Sequence, residues 1–483
     1  MPCSRRQVRS PSARVAAPEA HEGGDSVNRR FRIPAIALCA IGLLAASCSS
    51  NTKSSSSTSG PTTTAGLVAN VGNAGGGSLA DAAATSPLTG PAGSGLTRGV
   101  TATSITVGCV YTSSAFAGYQ EGIQARFDRA NKAGGVDGRK LTLLPCADDG
   151  GAVQTDVQDV QQQVNQGNAF ALLSATESIL PGSTDFLNNN QVPFFGWGFL
   201  PGFCGLRWGF GWNGCLEGNA VTKAQVAHAA IQGNLAEAIL KATHMKPSQV
   251  RLAIQGESSA AGKIGNAQYH ALFTKLGAKV VYDQANMPET AAGADLTPYV
   301  QAIMATKPNL VYVSTFFSDV GPLVAGLRAA GFTGATMDFI SYIPGLLQSS
   351  PQLASALQGE YVNTQVVPQE QNTPWIAQIE ADLTASGQKP FVTLGGSMGY
   401  TEAEELIEML QAVGPNLNTK TFDQVVNHGH FVSYADIPSG GPGKLQWPAA
   451  HLLPADCAAI VQVKGDAFNV VQPFACYQSY KLF

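Results

Sequence analysis

Charge is scarce in this chain of 483 residues, with Asp, Glu, Lys and Arg together making up 13%. The cations form no basic stripe and the formal net charge is −4, which excludes an extended nucleic-acid interface. No uninterrupted apolar run reaches the roughly 20 residues that a permanent membrane-crossing helix needs. Cysteine occupies nine positions without one Cys-x-x-Cys pair, so neither a zinc site nor thioredoxin-like redox chemistry is supported. From Ser49 to about Gly99 large apolar residues are nearly missing and Ser, Thr, Gly, Ala and Pro take their place. Such a stretch cannot bury enough apolar surface to offset its ordering entropy. Residues 48–100 are therefore expected to form a disordered tether.

Before the tether stand Arg29, Arg30 and Arg32, the apolar run Ile33 to Ala46, and Ser47-Cys48. A cationic start, a short apolar core and small residues at the cleavage point define a secretory signal. Leu44-Ala45-Ala46-Ser47-Cys48 resembles a bacterial lipobox, with Ala45 where Leu is usual, and implies cleavage before Cys48 and acylation of its thiol. The polar stretch 1–26 fits no such signal, so translation is expected to begin at Val27, with 27–47 the signal peptide. Cleavage removes seven Arg and three acidic residues and leaves a formal charge of −8. The anchored chain then lies outside the cytoplasm, at the bilayer that holds its lipid. Beyond Cys48 six cysteines remain: Cys109, Cys146, Cys204, Cys215, Cys457 and Cys476. An even number in an exported chain reads as a disulfide set with fifteen possible pairings. Proximity favours 204 with 215 and 457 with 476, leaving 109 with 146.

Past Thr103 short β-rich runs alternate with helical patterns. Ile105–Val110 reads as a strand and Tyr119–Lys132 as a helix closed by Gly134-Gly135. Strands at Leu141–Leu144, Ala169–Leu173 and Val192–Phe195 alternate with helices at Val153–Gln166 and Pro181–Asn189. The pattern restarts with a helix over Lys223–Met245 and strands near 250, 279, 310 and 336, each followed by a helix or loop. Alternation of this kind predicts parallel, doubly wound α/β sheets, here in two similar sets. A helical region, Thr373 to Val413 with a break between Gly387 and Gly396, precedes a β-rich tail that ends in a hairpin around Lys464-Gly465-Asp466. Thr373 before Pro374 suits a helix start.

The stretch Gly122 to Leu143, with its turn Asn131-Lys-Ala-Gly-Gly-Val-Asp-Gly-Arg-Lys140, runs on to Asp148-Asp149. It resembles the first helix and second strand of the leucine/isoleucine/valine-binding family, the type I periplasmic binding proteins of ABC importers. Asn190-Gln-Val-Pro-Phe-Phe195, Pro308-Asn-Leu-Val-Tyr-Val313 and Leu327-Arg-Ala-Ala-Gly-Phe332 are similar to later family segments. The resemblance covers about residues 103–365. It implies an α/β fold of two Rossmann-like lobes with three hinge crossings, closing on a small solute at the carboxyl ends of the strands. Lobe 1 is expected over 101–220 and 366–430, and lobe 2 over 221–365 and 431–483 with the C-terminal hairpin.

Carried onto matching loops, the resemblance marks Tyr119, Ser174, Thr176, Trp197, Phe199, Phe316 and Tyr342 as ligand contacts. Tyr119 either covers the ligand or packs on its own helix. Ser174 and Thr176 hold a carboxylate or serve as a helix cap. Trp197 opens a Gly-rich stretch to Cys215 with three of the five tryptophans, which lines a cleft mouth or forms an aromatic mini-core. An amino-acid binder would present an acid near Ile340-Ser341-Tyr342 to the ligand's ammonium. None stands there, and Asp338 is two residues early. An amide, an aromatic acid or another carboxylate fits that absence.

No catalytic constellation is present. Gly209-Phe-Gly211-Trp-Asn-Gly214 has dinucleotide spacing without a clean strand before it or helix after it. Gly256-Glu-Ser258-Ser-Ala lacks the second Gly of a nucleophile elbow. His428-Gly-His430 binds a metal only with distant partners. The chain therefore reads as a monomeric solute receptor, needing no cofactor, whose partners are a small solute, an ABC permease and, through Cys48, the bilayer. A different reading keeps the lobes for an extracytoplasmic sensor or adhesion lipoprotein without a transport role.

Overall fold

The computed structural model describes residues 87–216, 239–288, 294–434, 441, 443–455 and 457–476. The signal segment, Cys48 and most of the tether lie outside the described residues, as does the greater part of the helix expected over Lys223–Met245, up to residue 238.

The first lobe opens with β1 (Ser104–Tyr111), α1 (Tyr119–Lys132), β2 (Lys140–Leu143) and β3 (Ala147–Asp148). It continues with α2 (Val153–Asn165), β4 (Ala171–Ala175), α3 (Pro181–Asn189), β5 (Phe194–Gly196) and β6 (Gly209–Gly211). These strands pair in parallel in the order β2-β1-β4-β5-β6, with β3 also on β1. Every residue of β4 and β5 is buried, as in a sheet covered on both faces.

The second lobe contains β7 (Arg251–Glu257), α4 (Ala260–Lys275), β8 (Lys279–Met287) and α5 (Thr297–Ala305). β9 (Leu310–Ser314), α6 (Phe317–Ala329), β10 (Ala335–Asp338) and β11 (Tyr361–Thr364) follow. The chain then returns to the first lobe as α7 (Pro374–Ala385), α8 (Leu394–Val413) and α9 (Thr419–His428), with a small ribbon of β12 (Val432–Ser433) and β13 (Leu445–Gln446). It ends as the hairpin β14 (Cys457–Lys464) and β15 (Ala467–Cys476). The second sheet runs β15-β14-β11-β10-β9-β7-β8, antiparallel only at the hairpin. The backbone thus passes between the sheets three times: after β6, after β11 and before β14.

Glycines decide how α8 seats on α1. A Cβ on Gly122 would fall 2.1 Å from the Gly396 carbonyl oxygen, and one on Gly399 would fall 2.3 Å from that of Tyr119. Only hydrogen at both positions lets the backbones come this close. Thr393 starts α8 by accepting the Gly396 N–H at 2.9 Å, and Thr373 starts α7 by accepting that of Ile376 at 3.3 Å. Three disulfides form, Cys109–Cys146, Cys204–Cys215 and Cys457–Cys476, the pairing that proximity favoured.

Three expectations change. The tether expected through residue 100 is shorter, because residues 87–100 form a strap on the first lobe. Trp208 Nε1 donates to the Pro91 carbonyl at 2.9 Å, the Gly93 N–H to Asp423 Oδ2 at 2.9 Å, and the Thr419 N–H to the Leu96 carbonyl at 2.9 Å. Low apolar content does not prevent order where a folded surface supplies hydrogen-bond partners. The tail after Val413, expected to be β-rich, holds α9, started by a capping box of Asn418 and Thr421. Residues 445–455, expected in lobe 2, bond to the first lobe instead. Trp447 packs on Phe210, His451 Nδ1 meets the Gly209 carbonyl at 2.9 Å, and Cys215 N donates to the Leu453 carbonyl.

Candidate functional site

In both lobes the loops after the carboxyl ends of the parallel strands face the other lobe, where open α/β sheets place ligands. Two zones result. The loop after β5 meets the loop after β10, and the loop after β4 meets the loop after β9.

The first zone is aromatic. Trp197 and Phe199, from the loop after β5, stand edge-on to Phe339 of the second lobe, with ring centres 6.3 and 5.8 Å away. Trp212 lies beside Trp197 at 6.4 Å. Trp197, Trp212, Phe339, Tyr342, Gln365 and Leu394 are among the residues lining a cleft of about 210 Å3. That figure includes space open to solvent, and the enclosed part has room for about one water, so the two walls close on each other here. Trp197 Nε1 donates to Gln365 Oε1 at 2.7 Å and Asn213 Nδ2 donates to the same oxygen at 3.2 Å. Gln365 directly follows β11, so this bond ties the first lobe to the strand that leaves the second. The Trp212 indole N–H finds no partner among the described residues and remains a donor on the cleft wall.

The glycines that suggested a dinucleotide motif have another task here. A Cβ on Gly198 would come within 1.6 Å of the Gly214 carbonyl oxygen, and one on Gly211 within 2.2 Å. The loop folds back on itself with no room for side chains, which presses Trp197 and Trp212 into one wall.

The second zone is acidic. Glu177 follows β4, Glu257 ends β7 and Asp319 lies in the first turn of α6. Burial first, and then the neighbouring Glu257, Asp319 and Asp149 carboxylates, push the Glu177 carboxyl up to about 8 against the lowering effect of the Phe317 backbone N–H. Asp319 is 2% exposed, and burial raises its pKa as well.

The sequence-derived contacts divide between interior and cleft. Trp197, Phe199 and Tyr342 come together around the aromatic zone. Tyr342 also donates to Glu370 and accepts the Gln369 N–H at 2.8 Å. Phe316 precedes α6 beside the acidic zone and is half-buried. Tyr119, Ser174 and Thr176 have internal partners instead. The Tyr119 hydroxyl donates to Glu402 Oε2, and the Ser174 N–H donates to the same oxygen at 3.2 Å. The Ser174 hydroxyl donates to the Phe195 carbonyl at 2.7 Å, and that of Thr176 to Asp149. Glu402, fully buried on α8 with its pKa raised by burial, thus takes the backbone N–H expected to hold a ligand carboxylate. Sequence reasoning misses Glu177 and Asp319, each a lone acid with no spacing to mark it, and Glu402, one of four acids between 402 and 408 that nothing local sets apart.

A family model described as periplasmic binding protein matches residues 104–467. The chain belongs to the periplasmic binding proteins. Solved structures share its fold at low identity. A fatty acid ABC transporter substrate-binding protein from Thermomonospora curvata is 16% identical, with TM-score 0.63, over 80% of this chain and 94% of that one. A solute-binding protein from R. palustris, in complex with benzoate, is 13% identical with TM-score 0.56 over 78% and 99%. A branched-chain amino acid transporter substrate binding protein from Streptococcus pneumoniae, in complex with isoleucine, is 14% identical with TM-score 0.58 over 77% and 100%. No curated protein matches the sequence. No helix among the described residues is long and apolar enough to cross a membrane.

Proposed function

We propose that this chain is the extracytoplasmic receptor of an ABC importer, anchored through a lipid on Cys48 and handing a small organic solute to a membrane permease. The observation that carries the reading is the aromatic cleft built from both lobes, with Trp197 and Phe199 on one side and Phe339 on the other. A wall of this kind suits a solute with a planar or otherwise apolar face and one acceptor for the Trp212 N–H. Related folds include the substrate-binding protein of a fatty acid transporter and complexes with benzoate and with isoleucine, so the architecture accepts unlike ligands and the lining residues select among them. Trp197, Phe199, Phe316 and Tyr342 are the proposed contacts. Tyr119, Ser174 and Thr176 support the loops that carry them.

A thermal-shift screen of amino acids, amides, amines and aromatic acids tests the reading, because a ligand that binds only the folded state raises the melting temperature. A rise of several degrees with at least one small solute is expected, and silence across the panel would sink it. The anchor has its own test. Mass spectrometry of membrane-extracted protein should find a diacylglyceryl group on Cys48, and Cys48→Ala should release the chain from the membrane fraction.

A further inference from the structure

Beside the aromatic wall the two lobes bring carboxylates toward one another. Like charges meeting in a closing gap oppose closure, and burial adds to the cost. No Lys or Arg among the described residues forms an ion pair with Glu177 or Asp319. Asp319 is nearly sealed from solvent, and its Oδ2 accepts no hydrogen bond among the described residues. Its Oδ1 takes only the Ser318 hydroxyl, at 3.3 Å. Glu177 meets the N–H of Phe317, the first residue of α6, across the gap, yet its Oε1 is shut from water without a partner. Two buried carboxylate oxygens, one from each lobe, thus lack a hydrogen-bond donor, and either a bound proton or a cation supplies the missing positive charge.

We propose that this gap receives the ammonium or amidinium group of a solute whose apolar part lies against Trp197 and Phe339, a solute that carries no carboxylate. The assignment rests on the receptor reading above and names its substrate class. Spacing supports it: β4 adjoins β5 and β9 adjoins β10, and neighbouring strands lie about 4.8 Å apart. Charge zone and ring zone are therefore about one strand spacing apart, the reach of an arylalkylamine. The missing carboxylate follows from Glu402, which already occupies the Ser174 N–H. Asp338 does not serve the cation, since it folds back onto the N–H groups of Ile340 and Ser341 at 2.8 and 2.7 Å.

An ammonium ion beside Glu177 favours its charged form against the surrounding Glu257, Asp319 and Asp149. Binding then releases a proton, and affinity rises between pH 6 and 8. The experiment is calorimetry and thermal shift on the full chain with phenethylamine and tyramine, against phenylacetate and 2-phenylethanol as anionic and neutral counterparts. The amines should bind at least tenfold more tightly than either counterpart and more tightly at pH 8 than at pH 6. Glu177→Gln and Asp319→Asn should each weaken amine binding tenfold or more, and circular dichroism reports whether the variants fold. The pH profile of the unmutated chain needs no variant. Phenylacetate or 2-phenylethanol binding as well as the amines, or amine affinity unchanged in both folded variants, would overturn the charge assignment while leaving the receptor intact. Silence toward these amines while an amino acid or aromatic acid binds has the same meaning. Silence toward every solute would remove both.

Discussion

Trp197 concentrates the case for the cleft. It touches Phe199 and Trp212 of its own lobe and Phe339 of the other, and its N–H binds Gln365. Trp197→Ala removes the ring and that bond together, so the affinity for any responding solute should fall at least tenfold by calorimetry. An unchanged dissociation constant would take the residue out of the site. The sequence marked it as a tryptophan between glycines beside a short strand, which left a cleft mouth and an aromatic mini-core both open. The acids were not marked, since nothing in the neighbourhood of Glu177 or Asp319 shows from sequence that the other will face it. Away from the cleft, Asp156 is buried under the Ser183 hydroxyl, and burial raises its carboxyl to about 7. A carboxyl raised in the folded state stabilises most below its unfolded value near 4, and the contribution is lost as pH climbs through about 7. Asp156→Asn should change stability by no more than ~0.5 kcal/mol at pH 4 and raise it at pH 8 by up to ~4 kcal/mol, the free energy of a roughly thousandfold change in proton affinity. Urea denaturation at both pH values reads the difference.

Elements differ in how loudly they announce themselves. The helices Tyr119–Lys132 and Pro181–Asn189 lie where their periodicity and caps put them. β6 is three residues of Gly-Phe-Gly, and glycine is depleted in strands, so only its position beside β5 makes it one. α9 had a readable signal in Asn418, whose side chain accepts the N–H groups of Lys420 and Thr421 at 3.0 and 3.1 Å. Asn418→Ala should cost about 1 kcal/mol, measured by chemical denaturation. The Cys204–Cys215 bridge closes the aromatic loop at a sequence separation of 11. Replacing both cysteines by Ser should cost about 3 kcal/mol on the loop-entropy account. It should also loosen Trp197 and weaken ligand binding, an effect absent when Cys457 and Cys476 are replaced instead.

At the scale of the molecule, two lobes followed from two runs of β/α alternation, and three crossings from the family resemblance. The share of each lobe taken from the last hundred residues did not, because long-range packing such as Trp447 on Phe210 leaves no local trace. The strap was hidden for the same reason. A chain beginning at Thr101 should be about 1–3 kcal/mol less stable than one beginning at Pro87, since it strands the Trp208 N–H that the Pro91 carbonyl accepts. Side-by-side urea denaturation measures it. The bond from Trp197 to Gln365 also has an optical consequence. All five tryptophans are buried; Trp208, Trp375 and Trp447 pack within the first lobe, a constant background, while Trp197 and Trp212 line the cleft. Trp197 alone has its indole N–H bound to the crossing strand and its ring against Phe339. Opening would wet the Trp197 and Trp212 indoles and move their emission to the red, so the molecule carries a label-free fluorescent gauge of its own closure.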